Sequence, residues 1–242
     1  MADDIFEDPR LAAIYDPLDP DRSDLDAYLS MVEEFGAASV LDIGCGTGTF
    51  ACLLAARGIQ VTGVDPARAS LYIAQAKPGA ELVRWVQGDA TSLPPLQVDL
   101  AVMTANVAQV FVDDADLSAT LSAARRAVQP LGHLVFEARD PSRRAWEEWT
   151  RDATFSRTDI PGVGVVEAWC ELLDVAGQLV SFRWTHVFES DGAVITADST
   201  LRFRERDEIA ALVAESGFRV HDVRDAPDRP GREFVFVCQP AR

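Results

Sequence analysis

The stretch Val40-Leu41-Asp42-Ile43-Gly44-Cys45-Gly46-Thr47-Gly48-Thr49-Phe50 constrains this chain more than any other, because a buried strand runs there straight into a glycine-rich turn and a helix. Ser39 to Ile43 supply β-branched and aliphatic residues, and glycines at 44, 46 and 48 let the main chain turn sharply and approach a ligand with no Cβ in the way. Thr49 to Ala56 resume as a helix. The free N–H groups at such a helix start favour negative charge or an acceptor-rich group such as a carboxylate. A second apolar run, Ile59 to Val64, ends in Asp65. That acid lies about 20 residues beyond the turn, where a ribose-binding carboxylate belongs.

The glycine spacing separates two cofactor classes. A dinucleotide-binding turn reads Gly-x-Gly-x-x-Gly, and Thr49 stands here where its third glycine belongs. The string Leu41-Asp42-Ile43-Gly44-Cys45-Gly46-Thr47-Gly48, followed by Gly63-Val64-Asp65, resembles the first two motifs of class I S-adenosylmethionine-dependent methyltransferases of the small-molecule type. The resemblance extends from Val40 to Gln239 apart from an insertion. It implies an α/β fold: a Rossmann-like, seven-stranded, mostly parallel sheet with an antiparallel last strand and helices on both faces. A nicotinamide-dependent oxidoreductase and a non-catalytic module that binds the same cofactor remain rival readings.

Composition narrows the partners. A formal net charge of −17, with Lys77 the only lysine, leaves no basic stripe suited to a phosphate backbone, so no nucleic acid is expected. No apolar run approaches the ~18 residues of a membrane span, and the start Met1-Ala2-Asp3-Asp4 lacks the character of a signal peptide. The expectation is a cytoplasmic protein with no membrane partner, and a homodimer is left open. Cys45, Cys52, Cys170 and Cys238 lack metal-ligand spacing and read as free thiols. Cys45 is the one expected to be exposed, as a spacer in the turn.

Along the chain, residues 1–36 read as a helical leader with a broken apolar stripe, a proline-rich break from Asp16 to Asp21 and a helix from Ser23 to Phe35. Residues 37–140 and 205–242 read as the cofactor-binding core. After a helix from Ala67 to Lys77, strands are expected over Glu81 to Gln87 and Val98 to Met103, then a helix from Ala115 to Gln129 capped by Asp113, Asp114 or Asp116. His133 opens the fifth strand as a surface residue. Residues 141–204 form an insertion between the fifth and sixth strands: a short helix, then period-two strands over Val163 to Leu173, Leu179 to Phe188 and Ala193 to Phe203, an antiparallel lid. Arg206 to Ser216 reads as the last helix.

The resemblance implies S-adenosyl-L-methionine as cofactor and assigns its site residue by residue. The turn contributes Asp42, Gly44, Cys45, Gly46 and Gly48, and the second strand end Asp65 and Pro66. Asp89 and Ala90 match the adenine position, and Asn106 and Gln109 lie between donor and acceptor. Tyr15 of the leader is either a ligand contact or core packing. The Asp/Asn-Pro-Pro-aromatic string of nucleic-acid amino methylases is absent after Thr104, and no acid there matches magnesium-dependent members, so no metal is expected. The acceptor is then a small molecule with an amino or hydroxyl group. Candidate catalytic residues are Asn106, His186 and Arg139. His186 titrates near neutrality when unperturbed and stands in an alternating face with Phe182, Trp184 and Phe188, as a base or as packing. Arg139 holds a substrate carboxylate or pairs internally with Asp140 or Glu137.

Overall fold

A computed structural model describes residues 3–241; Met1, Ala2 and Arg242, on which the expectations for the chain ends partly rest, lie outside the described residues. The leader forms α1 (Asp4–Glu7), α2 (Pro9–Leu18) and α3 (Asp26–Glu34). Asp8 caps α2 by accepting from the N–H groups of Arg10 at 2.8 Å and Leu11 at 3.1 Å. The proline-rich break starts later than the sequence suggests: Pro17 lies inside the last turn of α2, where it withholds the N–H that would reach back to the Ala13 carbonyl, and the helix ends one residue later.

Then follow β1 (Ser39–Ile43), α4 (Thr49–Ala55), β2 (Gln60–Asp65), α5 (Arg68–Gln75), β3 (Val83–Gln87), β4 (Val98–Met103), α6 (Asp114–Ala127) and β5 (Val128–Arg139). The inserted segment holds α7 (Arg151–Thr154), β6 (Ser156–Ile160), β7 (Gly164–Ala176), β8 (Leu179–Phe188) and β9 (Ala193–Arg202), and the chain ends with α8 (Arg206–Glu215), β10 (Phe218–Asp225) and β11 (Glu233–Pro240). The main sheet has seven strands in the order β10-β11-β5-β4-β1-β2-β3. β1 to β5 run parallel, and β11 inserts antiparallel between β10 and β5.

Alternation along each central strand builds two apolar layers. Leu41, Met103, Phe136 and Phe236 face α6 and α8, while Val40, Val102, Val135 and Val237 face α3 and α4. Side chains of this size contribute roughly 1.5–3 kcal/mol each when fully buried. Sheets buried on both faces need such near-continuous apolar strands, and the parallel strand ends all open on one edge, where ligands of open α/β sheets bind.

The four-stranded sheet β6-β7-β8-β9 is antiparallel. The sequence hides β6, because Ser-Arg-Thr-Asp-Ile offers no apolar alternation, and its order comes from pairing with β7. Two other boundaries move for the same reason. α6 stops at Ala127, short of the expected Gln129, because Val128 already pairs with Val98. The third strand begins at Val83 because Ala80–Leu82 forms a helical turn.

Of the acids at the start of α6, Asp113 stands at the N-cap and Asp114 and Asp116 in the first turn, where the helix dipole favours them. Asp113 makes no capping bond. Asp114 instead binds Arg204 at 2.9 Å and Arg202 at 3.2 Å, tying the lid to the core. Arg204 is 2% exposed, and its second partner is the Phe111 carbonyl at 2.7 Å. Losing the carboxylate leaves a buried cation under-paired, so Asp114→Ala is expected to cost about 1–3 kcal/mol. A thermal melt of the variant beside wild type measures this; an unchanged melting point would show that the pair is solvated away.

Candidate functional site

The glycine turn joins β1 to α4. Only one of its glycines faces open space: a Cβ on Gly46 (φ +52°) would meet nothing within 4 Å, whereas one on Gly44 would reach Val107 at 2.7 Å and one on Gly48 would reach Trp85 at 2.5 Å. Gly44 and Gly48 thus serve packing, and Gly46 leaves the approach free. Cys45 is buried rather than exposed, and burial raises its thiol well above the ordinary range, which leaves it an inert spacer.

Acidic groups stand at successive strand ends. Asp42 is 1% exposed, and neither carboxylate oxygen has a partner. Burial, with Asp65 nearby, pushes it up to about 7. Asp65 accepts from the N–H groups of Gly46 and Ala67, both at 2.8 Å, with Pro66 exposed between them. Asp89 caps a helical turn through Oδ1, which accepts from the N–H groups of Thr91 at 2.8 Å and Ser92 at 3.1 Å; the Thr91 hydroxyl bond holds it below the usual carboxylate range. Ala90 is buried beside it.

The leader crosses this edge. Asp16 accepts from Thr47 at 2.7 Å and Thr49 at 3.2 Å and pairs with Lys77 at 2.6 Å, so α2 is strapped over the glycine turn. Arg10 binds Asp191 at 3.0 Å and stacks 3.9 Å over Phe188, joining the same helix to the lid. Tyr15, half-buried, has a hydroxyl raised by burial and a ring 5.7 Å from Phe6.

Beyond β4 the chain makes a tight turn in which Ala105 (φ +56°) and Asn106 (φ +60°) are both left-handed. Asn106 donates its main-chain N–H to Glu137 Oε1 at 2.9 Å and its Nδ2 to Glu233 Oε1 at 3.2 Å; its own Oδ1 is buried without a partner. Gln109 faces the other way. Its Oε1 accepts from the Arg139 main chain at 3.3 Å and guanidinium at 3.1 Å, and its Nε2 donates to the Arg202 carbonyl at 3.4 Å.

Arg139 forms neither of the internal pairs expected from sequence. Glu137 is engaged by Tyr28 and Asn106, and Asp140 caps the following turn through the Ser142 N–H at 2.8 Å. Arg139 lies 3.8 Å from Glu233, which is held closer, at 2.7 Å, by Arg229. Its guanidinium is 5.9 Å from the Trp149 ring, which packs on Phe182 at 4.7 Å. His186 is 3% exposed with an unpartnered Nδ1, and burial drops it to about 4. His133, half-buried, stacks on Phe35 at 4.0 Å away from this edge.

Sequence reasoning missed Tyr28, Glu233, Arg229 and the Asp16–Lys77 strap. Lys77 carried one signal, as the only lysine in the chain. Glu233 carried another, as an acid opening the apolar run Phe234 to Cys238.

A mostly parallel seven-stranded sheet with a glycine turn after β1 and acids at the ends of β1, β2 and β3 defines a nucleoside-cofactor enzyme fold. Residues 40–132 match the family model described as "Methyltransferase domain". A protein of Geobacillus sp. (strain WCH70) named "Putative methyltransferase" is 30% identical over 234 residues, covering 92% of this chain and 93% of that protein. In structure, the CcbJ methyltransferase from Streptomyces caelestis aligns with a TM-score of 0.76 at 22% identity, covering 98% of both chains. The sugar N-methyltransferase KedS8 from Streptoalloteichus sp. ATCC 53650 aligns with a TM-score of 0.73 at 19% identity, covering 91% of this chain and 88% of that one. The chain belongs to the class I S-adenosylmethionine-dependent methyltransferases, and its cofactor is S-adenosylmethionine. Among the described residues no helix is long and apolar enough to cross a membrane, and no cluster of three or more His, Cys, Asp or Glu is placed to hold a metal ion.

Proposed function

We propose that this enzyme methylates an amino group of a small-molecule acceptor. The carrying observation is Asn106 Oδ1, a buried hydrogen-bond acceptor with no partner at the end of β4. When bound, S-adenosylmethionine supplies an electrophilic methyl group on a sulfonium. Asp42, buried and unpartnered, suits the cofactor's ammonium; Asp65 suits the ribose, and Asp89 with Ala90 the adenine. Gly46 gives the main chain its close approach. Cys45, Gly44, Gly48 and Pro66 shape the turn and strand end around that seat.

An amine needs to arrive neutral, with its N–H held and its lone pair aligned, which is work for a hydrogen-bond acceptor. A hydroxyl would instead benefit from a base poised near neutrality. With His186 lowered to about 4, no such base is offered there. Arg139, with its guanidinium 5.9 Å from the Trp149 ring, supplies a cationic and aromatic wall for the acceptor. The name of the sugar N-methyltransferase with the same fold agrees with an amine. Gln109 acts by holding Arg139 rather than by touching the cofactor.

The test is a panel of small primary amines, each paired with its alcohol, scored by S-adenosylhomocysteine release. Turnover confined to amines is expected; turnover of alcohols at equal rates would overturn the reading. His186→Asn is expected to leave the pH–rate profile between pH 6 and 9 unchanged, and loss of a titrating limb would restore His186 as a base.

A further inference from the structure

Two consecutive left-handed residues without a glycine are an expensive way to turn a chain: each costs of order 1–3 kcal/mol and persists only where its surroundings over-determine it. The surroundings of Ala105 and Asn106 are specific. Below the turn, Tyr28 of α3 hydrogen-bonds Glu137 Oε2 while Glu137 Oε1 takes the Asn106 main-chain N–H at 2.9 Å. Beside it, Glu233 Oε1 takes the Asn106 Nδ2 at 3.2 Å, and Arg229 at 2.7 Å with Arg139 at 3.8 Å keeps that carboxylate in place. The two glutamates come from adjacent antiparallel strands, β5 and β11. Both are buried, at 7% and 4% exposure.

The polarity of this arrangement matters. Glu233 Oε1 already accepts from Arg229 at 2.7 Å, so as an acceptor it takes the NH2 end of the Asn106 amide and not its oxygen. The amide is thereby forced to present Oδ1 on its other side, and that oxygen has no partner in the protein. Glu137 fixes the backbone and Glu233 fixes the flip.

We propose that Glu137 and Glu233, braced by Tyr28 and Arg229, are positioning residues that hold Asn106 in its left-handed turn with Oδ1 committed to the acceptor's N–H. This rests on the amine reading above. Neither glutamate touches the reacting atoms; both act through Asn106.

Sinefungin tests this without an identified acceptor, because it carries a C–NH3+ group where the cofactor carries its S–CH3+, so it offers N–H donors at the transfer position. The readout is the ratio of its affinity to that of S-adenosylhomocysteine, measured by calorimetry on each variant. Dividing the two affinities cancels general damage to the cofactor seat. Wild type is expected to favour sinefungin by about 10-fold or more, the scale of one hydrogen bond to a charged donor. Asn106→Ala is expected to bring the ratio close to one, Glu137→Leu and Glu233→Leu to follow it, and Glu137→Gln, which keeps an acceptor for the Asn106 N–H, to restore most of it. Should Glu137→Leu fail to fold, Tyr28→Phe and Glu233→Leu carry the same comparison. A preference lost in Asn106→Ala but intact in both leucine variants would overturn the positioning role alone. A wild-type ratio near one would overturn the placement of Asn106 at the acceptor nitrogen, and binding of neither compound would overturn the cofactor seat itself.

Discussion

Asp42→Asn is expected to bind S-adenosylmethionine about a hundredfold more weakly than wild type, yet to melt at a higher temperature at pH 8. The two effects share one cause. Asp42 is a fully enclosed carboxylate with no hydrogen bond to either oxygen, so the free protein carries the whole cost of desolvating its charge. Removing one partner of a buried charge pair typically costs 2–5 kcal/mol, which sets the loss of affinity. The direction of the stability change follows from the proton. The folded state holds Asp42 at about 7, above its ordinary carboxylate value, so folding favours the protonated form. Stability from this group is therefore fully present at acid pH and is lost as pH rises towards 7, by up to about 1.4 kcal/mol per pH unit. The asparagine variant has no charge to lose. Its advantage in melting temperature should be greatest at pH 8 and fade by about pH 4. Cofactor affinity in wild type should weaken on acidification below pH 7, where Asp42 takes up a proton, and this slope should be absent in the variant. Melting curves and calorimetric titrations at pH 5 to 8 check both; a variant less stable than wild type at pH 8 would show that Asp42 is satisfied in the free protein.

Much of the fold was legible in the sequence, and the reasons are local. Val40 to Ile43 and Val98 to Met103 are apolar runs that only a doubly covered strand accommodates, and each is followed by residues that stop it. Asp42, Asp65 and Asp89 stood out in the sequence because each lies at or just past the end of such a strand. The floor of the site was not legible in that way. Tyr28, Glu137 and Glu233 are far apart in sequence, and only the insertion of β11 against β5 brings the two acids together. His186 shows the opposite limit: its residue type suggested a base or packing, and only the folded lid shows that it is buried, which lowers it to about 4. Strand β6 escaped notice because a polar segment acquires its order from β7.

The glycine turn itself was legible in spacing but not in purpose, and a pair of variants separates the two. From sequence the glycines at 44, 46 and 48 all looked like concessions to a ligand. In the fold, a Cβ on Gly48 would lie 2.5 Å from Trp85 and 2.8 Å from Ala74, at φ +77°. Trp85 is itself fixed by its Nε1 bond to the Ala80 carbonyl at 3.0 Å, and its ring lies so close to Gly63 that a Cβ there would meet it at 2.9 Å, so it has little room to retreat. Overpacking costs about 1–3 kcal/mol and the left-handed backbone about 1–2 kcal/mol more. Gly48→Ala is thus expected to lower the melting temperature by roughly 4–20 °C at about 2–4 °C per kcal/mol. Gly46→Ala meets no neighbour within 4 Å. It should cost only the backbone term, about 1–2 kcal/mol, while placing a methyl group where the cofactor approaches, so its effect falls mainly on cofactor affinity. Adding Trp85→Leu should relieve the part of the Gly48→Ala loss that comes from the Trp85 clash, leaving the backbone cost and the Ala74 contact, and return none of the affinity lost in Gly46→Ala, a coupling that a double-mutant cycle reads directly. Equal melting temperatures for the two alanine variants would sink the assignment of Gly48 to packing against Trp85.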